Sequence, residues 1–447
     1  MPMPAERRRE LLEKDRRLIW HPFTQMKDYE NRDHILIEKA EGVFLYDADG
    51  NRYYDTVSSW WVNVHGHGHP RIKRAIAEQL EHMDHIIFSG LTHPPAIELA
   101  VRLVSAAPAG LTRVFYSDNG STAVEVALKM SFQYWQHKGR KEKTKFAYLE
   151  GGYHGDTLGA VSVGGVEQYH ALFKPLLFSA YALPSPYASE ERSLEQTERL
   201  FRSHAREIAA FVLEPLVQAA GGMLMHSAEY VRRLRELCSD YEVHLIADEV
   251  ATGFGRTGRM FACEHAGVTP DLMCLSKGLT AGVIPLAATL CTEDIYAAFY
   301  DDYETMKTFF HGHSFTGNPV ACAVALASLD IFEEERVLDH VGSVAPVLQK
   351  AVRELERLPH VGNARGIGMI AAFDLLADKE AGTPFPARVR AGFRVYNEGL
   401  KEGLILRPLG DTIYFWLPLC VTVEQVRDII ARTARVLERT NFEMADP

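Results

Sequence analysis

Apolar positions along the chain follow two periods that alternate through its middle. Runs rich in β-branched and aromatic residues at 113–117, 146–149, 210–213, 243–247 and 272–275 read as strands. Between them lie segments with helical spacing. Residues 122–135 place apolar side chains at 124, 127, 128 and 132, and 228–241 and 260–266 follow the same period. Strands alternating with helices predict βαβ units and a mostly parallel sheet. The texture changes after Glu333-Glu-Glu-Arg336. Helical patterns at 344–358, 388–402 and 423–437, with 366–370 and a strand-like run at 414–417, predict a smaller α+β unit. Residues 42–46 near the start read as a strand, followed by a turn at Asp49-Gly50. The expected division is therefore 1–60 as an N-terminal segment packing with the small domain, 61–335 as the large domain and 336–447 as the small domain.

Composition narrows the function. The 447 residues are 47% hydrophobic and 24% charged, as in ordinary globular domains. A net charge of −11 argues against nucleic acid as a partner, because polyanion binding needs concentrated Lys and Arg. The longest largely apolar run, 281–291, is far short of the ~20 residues a membrane helix needs. Arg7, Arg8 and Arg9 are interleaved with Glu6, Glu10 and Glu13, unlike a transit peptide, and no signal-peptide core follows. A cytoplasmic enzyme is expected. Six cysteines at 238, 263, 274, 291, 322 and 420 never form C-x-x-C, so a disulfide framework or zinc ribbon is not expected.

Open parallel sheets bind ligands at the carboxyl ends of their strands. Three such ends carry unusual residues: Asp118-Asn-Gly-Ser121, Asp248-Glu249 and Ser276-Lys277-Gly278. Gly120 and Ser121 open a helix, where free N–H groups and the dipole favour an anion such as phosphate. Asp248 and Lys277 are 29 residues apart, the length of one β-α-β step. Singly, each has a plain reading: a helix N-cap, a loop cap, a solvated charge. Jointly they suit pyridoxal phosphate, which needs a phosphate seat, an acid on its pyridine nitrogen and a lysine for the Schiff base.

Two motifs compete for attention. Gly253-Phe-Gly-Arg-Thr-Gly258 matches G-x-G-x-x-G, but Asp248–Thr252 separates it from its strand and no acid ends a strand-like run ~20 residues on. The context argues against a nicotinamide oxidoreductase. His65, His67 and His69 alternate, yet Gly and Pro break the segment into a loop, where hydrogen bonding rather than metal ligation is expected. No metal site is expected.

Trp20-His-Pro-Phe23, Ser58-Ser-Trp-Trp61, Tyr153-His-Gly-Asp156, Asp248-Glu-Val-Ala-Thr-Gly-Phe-Gly-Arg-Thr-Gly258, Ser276-Lys277-Gly278 and His311-Gly-His-Ser-Phe-Thr-Gly-Asn-Pro319 occur in that order. From about Trp20 to about Leu437 the chain resembles the class III, fold-type I pyridoxal-phosphate aminotransferases. Tandem Trp60-Trp61 and Trp20-His-Pro-Phe23 make it most similar to the biotin-pathway branch that aminates 8-amino-7-oxononanoate. The resemblance implies an α/β large domain holding pyridoxal 5'-phosphate and a homodimer with active sites at the subunit interface. It assigns Lys277 to the Schiff base, Asp248 to the pyridine nitrogen, Gly120 and Ser121 to the phosphate, and Tyr153 to the ring face. It carries Gly312, His313 and Ser314 across the dimer interface, Ser314 onto the partner's cofactor phosphate. Phe23, Trp60, Trp61, Tyr153, Gly312 and Arg407 are implied to bind substrate, Arg407 by receiving the substrate's carboxylate.

The chain departs from the family pattern in places. Glu214-Pro-Leu-Val-Gln-Ala-Ala220 lacks the second Glu of members that use ornithine, acetylornithine or 4-aminobutyrate. Phe23 replaces a Tyr common in adenosylmethionine-using members, and His313-Ser314 stands where some carry Pro-Thr. Adenosylmethionine is the expected donor, because the Trp pair offers aromatic faces to a sulfonium and an adenine. The alternatives are lysine as donor, or another ω-amine or diamine aminotransferase.

Overall fold

The structure, a computed structural model, describes residues 3–443. Its centre is a seven-stranded sheet of β1 (Leu111–Ser117), β2 (Lys145–Leu149), β3 (Tyr181–Leu183), β4 (Ile208–Leu213), β5 (His244–Asp248), β6 (Leu272–Leu275) and β7 (Ala287–Thr292). Their order is β1-β7-β6-β5-β4-β2-β3. Six strands run the same way, and β7 is antiparallel to both neighbours, β1 and β6. This is the expected α/β class. All of β7 but Thr292 falls inside the long apolar run at 281–291, and those residues are buried.

Inner strands β4 and β6 are apolar along their whole length because both faces are covered. Every residue of β4 is buried. Phe211, Leu213, Leu245 and Ala247 share one hydrophobic cluster with helix Ala228–Asp240. Ala210, Val212 and Ile246 point the other way, into a cluster with helix Gly120–His137. The predicted helix at 260–266 is shorter than its apolar spacing suggests, spanning Cys263–Ala266 only. The buried Glu249 carboxylate accepts the N–H groups of Ala262 and Cys263, and Glu264 accepts that of Phe261. These side-chain bonds hold 260–262 as a turn.

Strands Val361–Ile367, Ile370–Asp378 and Thr412–Trp416 form a second sheet, joined by short Thr383–Pro384. Helices Val337–Glu354, Ala391–Lys401 and Val423–Arg439 accompany it. The N-terminal hairpin is Phe44–Asp47 with Arg52–Tyr54. Its exit runs along this unit: Tyr54 N–H donates to Gly403 O, Ile405 N–H to Tyr54 O and Trp416 N–H to Thr56 O, at 2.8, 3.1 and 2.8 Å. That pairing brings 58–61 beside 405–416, far apart in sequence.

All six cysteines are free and only Cys420 is exposed. The alternating histidines go to separate partners: His65 to Ser328, His67 to Asp55 and His69 to Glu335. Among the described residues, no group of three or more His, Cys, Asp or Glu is placed to hold a metal, and no helix is long and apolar enough to cross a membrane.

Candidate active site

Register aligns the strand ends. Leu213 pairs with Ala247 and Asp248 with Cys274, so Glu214, Asp248 and Ser276-Lys277 emerge along one edge of the sheet. A cavity of about 660 Å³ lies there, with Gly120, Ser121, Tyr153, Asp248, Lys277 and Trp61 on its wall.

One side of the cavity is the start of helix Gly120–His137. Asn119 caps it by accepting the Thr122 N–H, and Thr122 returns a bond to the Asn119 N–H. The first N–H groups, including those of Gly120 and Ser121, have no helical acceptor and are available to an anion. The protein packs closely around this helix start. A Cβ on Gly120 would lie 2.5 Å from Val250 Cγ1, and one on Gly155 only 2.3 Å from Ser121 Oγ. Ser121 Oγ also accepts the Thr157 N–H at 3.1 Å, which ties the helix start to the loop after Tyr153.

The floor is acidic and deeply buried. Asp248, 4% exposed, accepts the Val250 N–H on Oδ1 and holds His154 Nδ1 at 2.7 Å on Oδ2. Burial alone would lower the His154 pKa, but the hydrogen bond and charge of Asp248 outweigh it and the net direction is upward. Glu214 accepts the N–H groups of Tyr153 and Ala219. Burial pushes its carboxyl up to about 7, and the Asp248 charge adds to the rise. Lys277 sits at φ +43° with its Nζ 4.9 Å from the Trp61 ring centroid. Burial lowers its pKa, while Asp248 and Glu214 pull the other way. A buried amine and a buried carboxylate bonded to a histidine thus share one cavity.

Tyr153 forms a side wall, its hydroxyl donating to Asp156 at 2.9 Å. Burial and the Asp156 charge raise its pKa, so the phenol stays protonated. The tandem tryptophans divide. Trp61, 3% exposed, stacks on Trp416 at 5.3 Å and donates to the Tyr414 hydroxyl. Trp60, 38% exposed, does not line the cavity but adjoins Trp61 at its mouth, with the Arg407 guanidinium, also outside the lining, 4.6 Å from its ring centroid. Phe23 packs edge-on against Trp60 and Tyr169, at 5.6 and 5.3 Å.

The remaining loop residues lie apart from this wall. Gly312 and Ser314 are exposed, and the Ser314 carbonyl accepts from His85. His313 Nε2 is 3.8 Å from Asp118, next to the helix start. The G-x-G-x-x-G run opens no helix. Its Arg256, 2% exposed, spans to the carbonyls of Asn63 and Leu417. Two residues of the floor were missed in the sequence. Glu214 is a fourth strand-end acid, legible by the same rule that found Asp248. His154 carried only its place beside Tyr153.

The donor set fits pyridoxal phosphate: a helix start with free N–H groups, a buried carboxylate and a lysine amine on one cavity. Comparison with known proteins agrees. Residues 26–437 match the family Aminotransferase class-III. The chain is 49% identical to an adenosylmethionine-8-amino-7-oxononanoate aminotransferase of Geobacter sulfurreducens, covering 95% of this chain and 96% of that protein. The crystal structure of the Methanocaldococcus jannaschii protein of that name is similar at TM-score 0.95 and 40% identity, over 97% of this chain and 100% of that one. A PLP-bound amine transaminase from an uncultivated Pseudomonas species matches at TM-score 0.90 and 36% identity, covering 95% and 99%. This chain belongs to the class III aminotransferases.

Proposed function

We propose that the chain uses pyridoxal 5'-phosphate to move an amino group from S-adenosyl-L-methionine to the 7-oxo group of 8-amino-7-oxononanoate, a step of biotin biosynthesis. The observation that carries the substrate reading is the mouth. A guanidinium lying against an indole, outside a lysine cavity, suits an apolar chain that ends in a carboxylate. The names of the relatives point to the same pair of substrates.

Bound pyridoxal phosphate supplies an electron sink for the electrons left when the amino-bearing carbon gives up a proton. The N–H groups of Gly120 and Ser121 seat the phosphate. Asp248 would accept the pyridinium N–H, and His154, bonded to its other side, fixes the orientation of that carboxylate. Tyr153 covers one ring face. Lys277 would hold the cofactor through its amine, and the same amine serves the proton transfers once the donor is bound. Its Nζ then accepts the proton from the donor carbon and later returns one to the former carbonyl carbon of the keto substrate. Burial lowers the Lys277 pKa, which leaves the amine free to act as a base. Arg407 binds the substrate carboxylate, with Trp60, Trp61 and Phe23 around the chain.

We place the protein in the cytoplasm as a homodimer, with Gly312, His313 and Ser314 reaching the neighbouring site and the partner subunit's Ser314 on the phosphate. Phe310 and Phe315 support this, leaving 70% and 65% of their surface open on either side of that loop. The domain boundaries we assign are 1–60, 61–335 and 336–447. The last joint falls at Arg336, in left-handed conformation between helices Pro319–Glu334 and Val337–Glu354.

One feature favours lysine as donor. Phe23 leaves its place at the mouth without a hydroxyl. Mixing the yellow enzyme with each donor separately decides it. Bleaching by adenosylmethionine supports the proposal, and bleaching by lysine alone overturns the donor assignment.

A further inference from the structure

Ser58, Ser59, Trp60 and Trp61 all turn left-handed, at φ +49°, +47°, +74° and +73°. None is glycine. In that region each L-residue brings its Cβ against the following carbonyl oxygen, which weights the local equilibrium against the turn by roughly 5- to 30-fold per residue. Single residues of this kind occur routinely, but four in succession persist only where the surroundings over-determine them.

Asp55 is the restraint closest to hand. Its carboxylate, 2% exposed, accepts the Ser59 N–H on Oδ1 and the Ser59 hydroxyl on Oδ2, both at 2.8 Å. His67 Nε2 lies 2.9 Å from the same Oδ2. His67 is in turn fixed by a two-way backbone bridge with Gly42. The charge of Arg256 also faces Asp55. Below the turn, Ser58 donates its hydroxyl to the Trp416 carbonyl, and its own carbonyl accepts the N–H groups of Val62 and Asn63.

The turn ends on the two indoles of the site, and they depend on it unequally. Trp61 is buried and stacked on Trp416, so packing alone goes far to fix it. Trp60 is partly exposed and meets Arg407 and Phe23 only because its backbone aims it there. We infer that Asp55, backed by His67, is a positioning residue: it holds Ser58–Trp61 in the left-handed turn and so presents Trp60 to Arg407 and the substrate. This deepens the proposed function and rests on it for the identity of the substrate.

The test compares Asp55→Ala, Ser59→Ala and the double variant Asp55→Ala with Ser59→Gly, each as the cofactor-loaded enzyme. Asp55→Ala should raise KM for 8-amino-7-oxononanoate roughly 5- to 30-fold, with kcat changed far less, and should alter the tryptophan near-ultraviolet circular dichroism. Ser59→Ala, which deletes one hydroxyl bond, should raise KM roughly 2- to 10-fold. Glycine takes positive φ at no steric cost, so Ser59→Gly should restore much of both KM and dichroism in the Asp55→Ala background. A loss that glycine does not restore, or one confined to kcat, overturns the inference. If Asp55→Ala fails to fold alone, a double variant that also fails, or a Ser59→Ala enzyme indistinguishable from wild type in KM and dichroism, does the same. If the wild-type enzyme leaves 8-amino-7-oxononanoate unaminated, the functional reading fails, and the dichroism with its glycine rescue still decides the clamp.

Discussion

Arg407→Ala isolates the charge at the mouth. The side chain is partly exposed, and its cation lies 4.6 Å from the Trp60 ring centroid. A hydrogen bond to a charged group contributes ~1.5–3 kcal/mol, and partial solvent screening places this one in the lower half. The loss of ~1.5–2 kcal/mol corresponds to roughly 10- to 30-fold in kcat/KM for the keto substrate. Truncation also removes the contact with Trp60, ~0.5–1 kcal/mol at such a site, and this part is blind to the substrate's charge. Comparing 8-amino-7-oxononanoate with its methyl ester separates the two. Wild type should prefer the acid by about 10-fold or more. Arg407→Ala should lose that preference and handle acid and ester alike. If the variant slows on both substrates equally while the preference survives, Arg407 acts by packing and the carboxylate is bound elsewhere.

Other outcomes follow from the floor and the loop. Lys277→Ala should fold yet hold no cofactor covalently and show no turnover; borohydride reduction and peptide mapping of the wild type should find the pyridoxyl group on Lys277. Glu214 has a pKa raised to about 7, so its contribution to stability is fully present below its ordinary value near 4.5 and is lost as pH rises through 7. The Tm of Glu214→Gln minus that of wild type should therefore grow more positive from pH 5 to pH 8, and a flat difference would remove the buried-acid reading. Ser314→Ala should weaken cofactor retention by ~1.5–3 kcal/mol, the scale of a hydrogen bond to a charged group, read as faster loss on dialysis.

How much of this was legible in the sequence depends on the range of the interactions involved. The strands stood out because burial on both faces makes them unbroken apolar runs, as in β4 and β5. Strand-end logic led to Gly120, Ser121, Asp248 and Lys277, which the register then places on one cavity. Glu214 obeys the same rule, since it directly follows the last residue of β4. His154 was out of reach, since its partner is 94 residues away and its burial is a product of the sheet. The meeting of Trp60 with Arg407 likewise depends on residues 54–56 pairing with the C-terminal unit. The helix at 260–266 is shorter than its spacing suggests because Glu249, a buried acid 13 residues before Ala262 in the same connection, captures the N–H groups of Ala262 and Cys263. Local periodicity carries no trace of that.

The most direct measurement is product formation from defined substrates. Purified enzyme loaded with pyridoxal 5'-phosphate is incubated with 8-amino-7-oxononanoate and one amino donor at a time, and the products are identified by mass spectrometry. The account predicts 7,8-diaminononanoate with adenosylmethionine, and none when Lys277 is replaced by alanine. A cofactor-loaded enzyme that aminates other ketones but leaves 8-amino-7-oxononanoate untouched with every donor would contradict it.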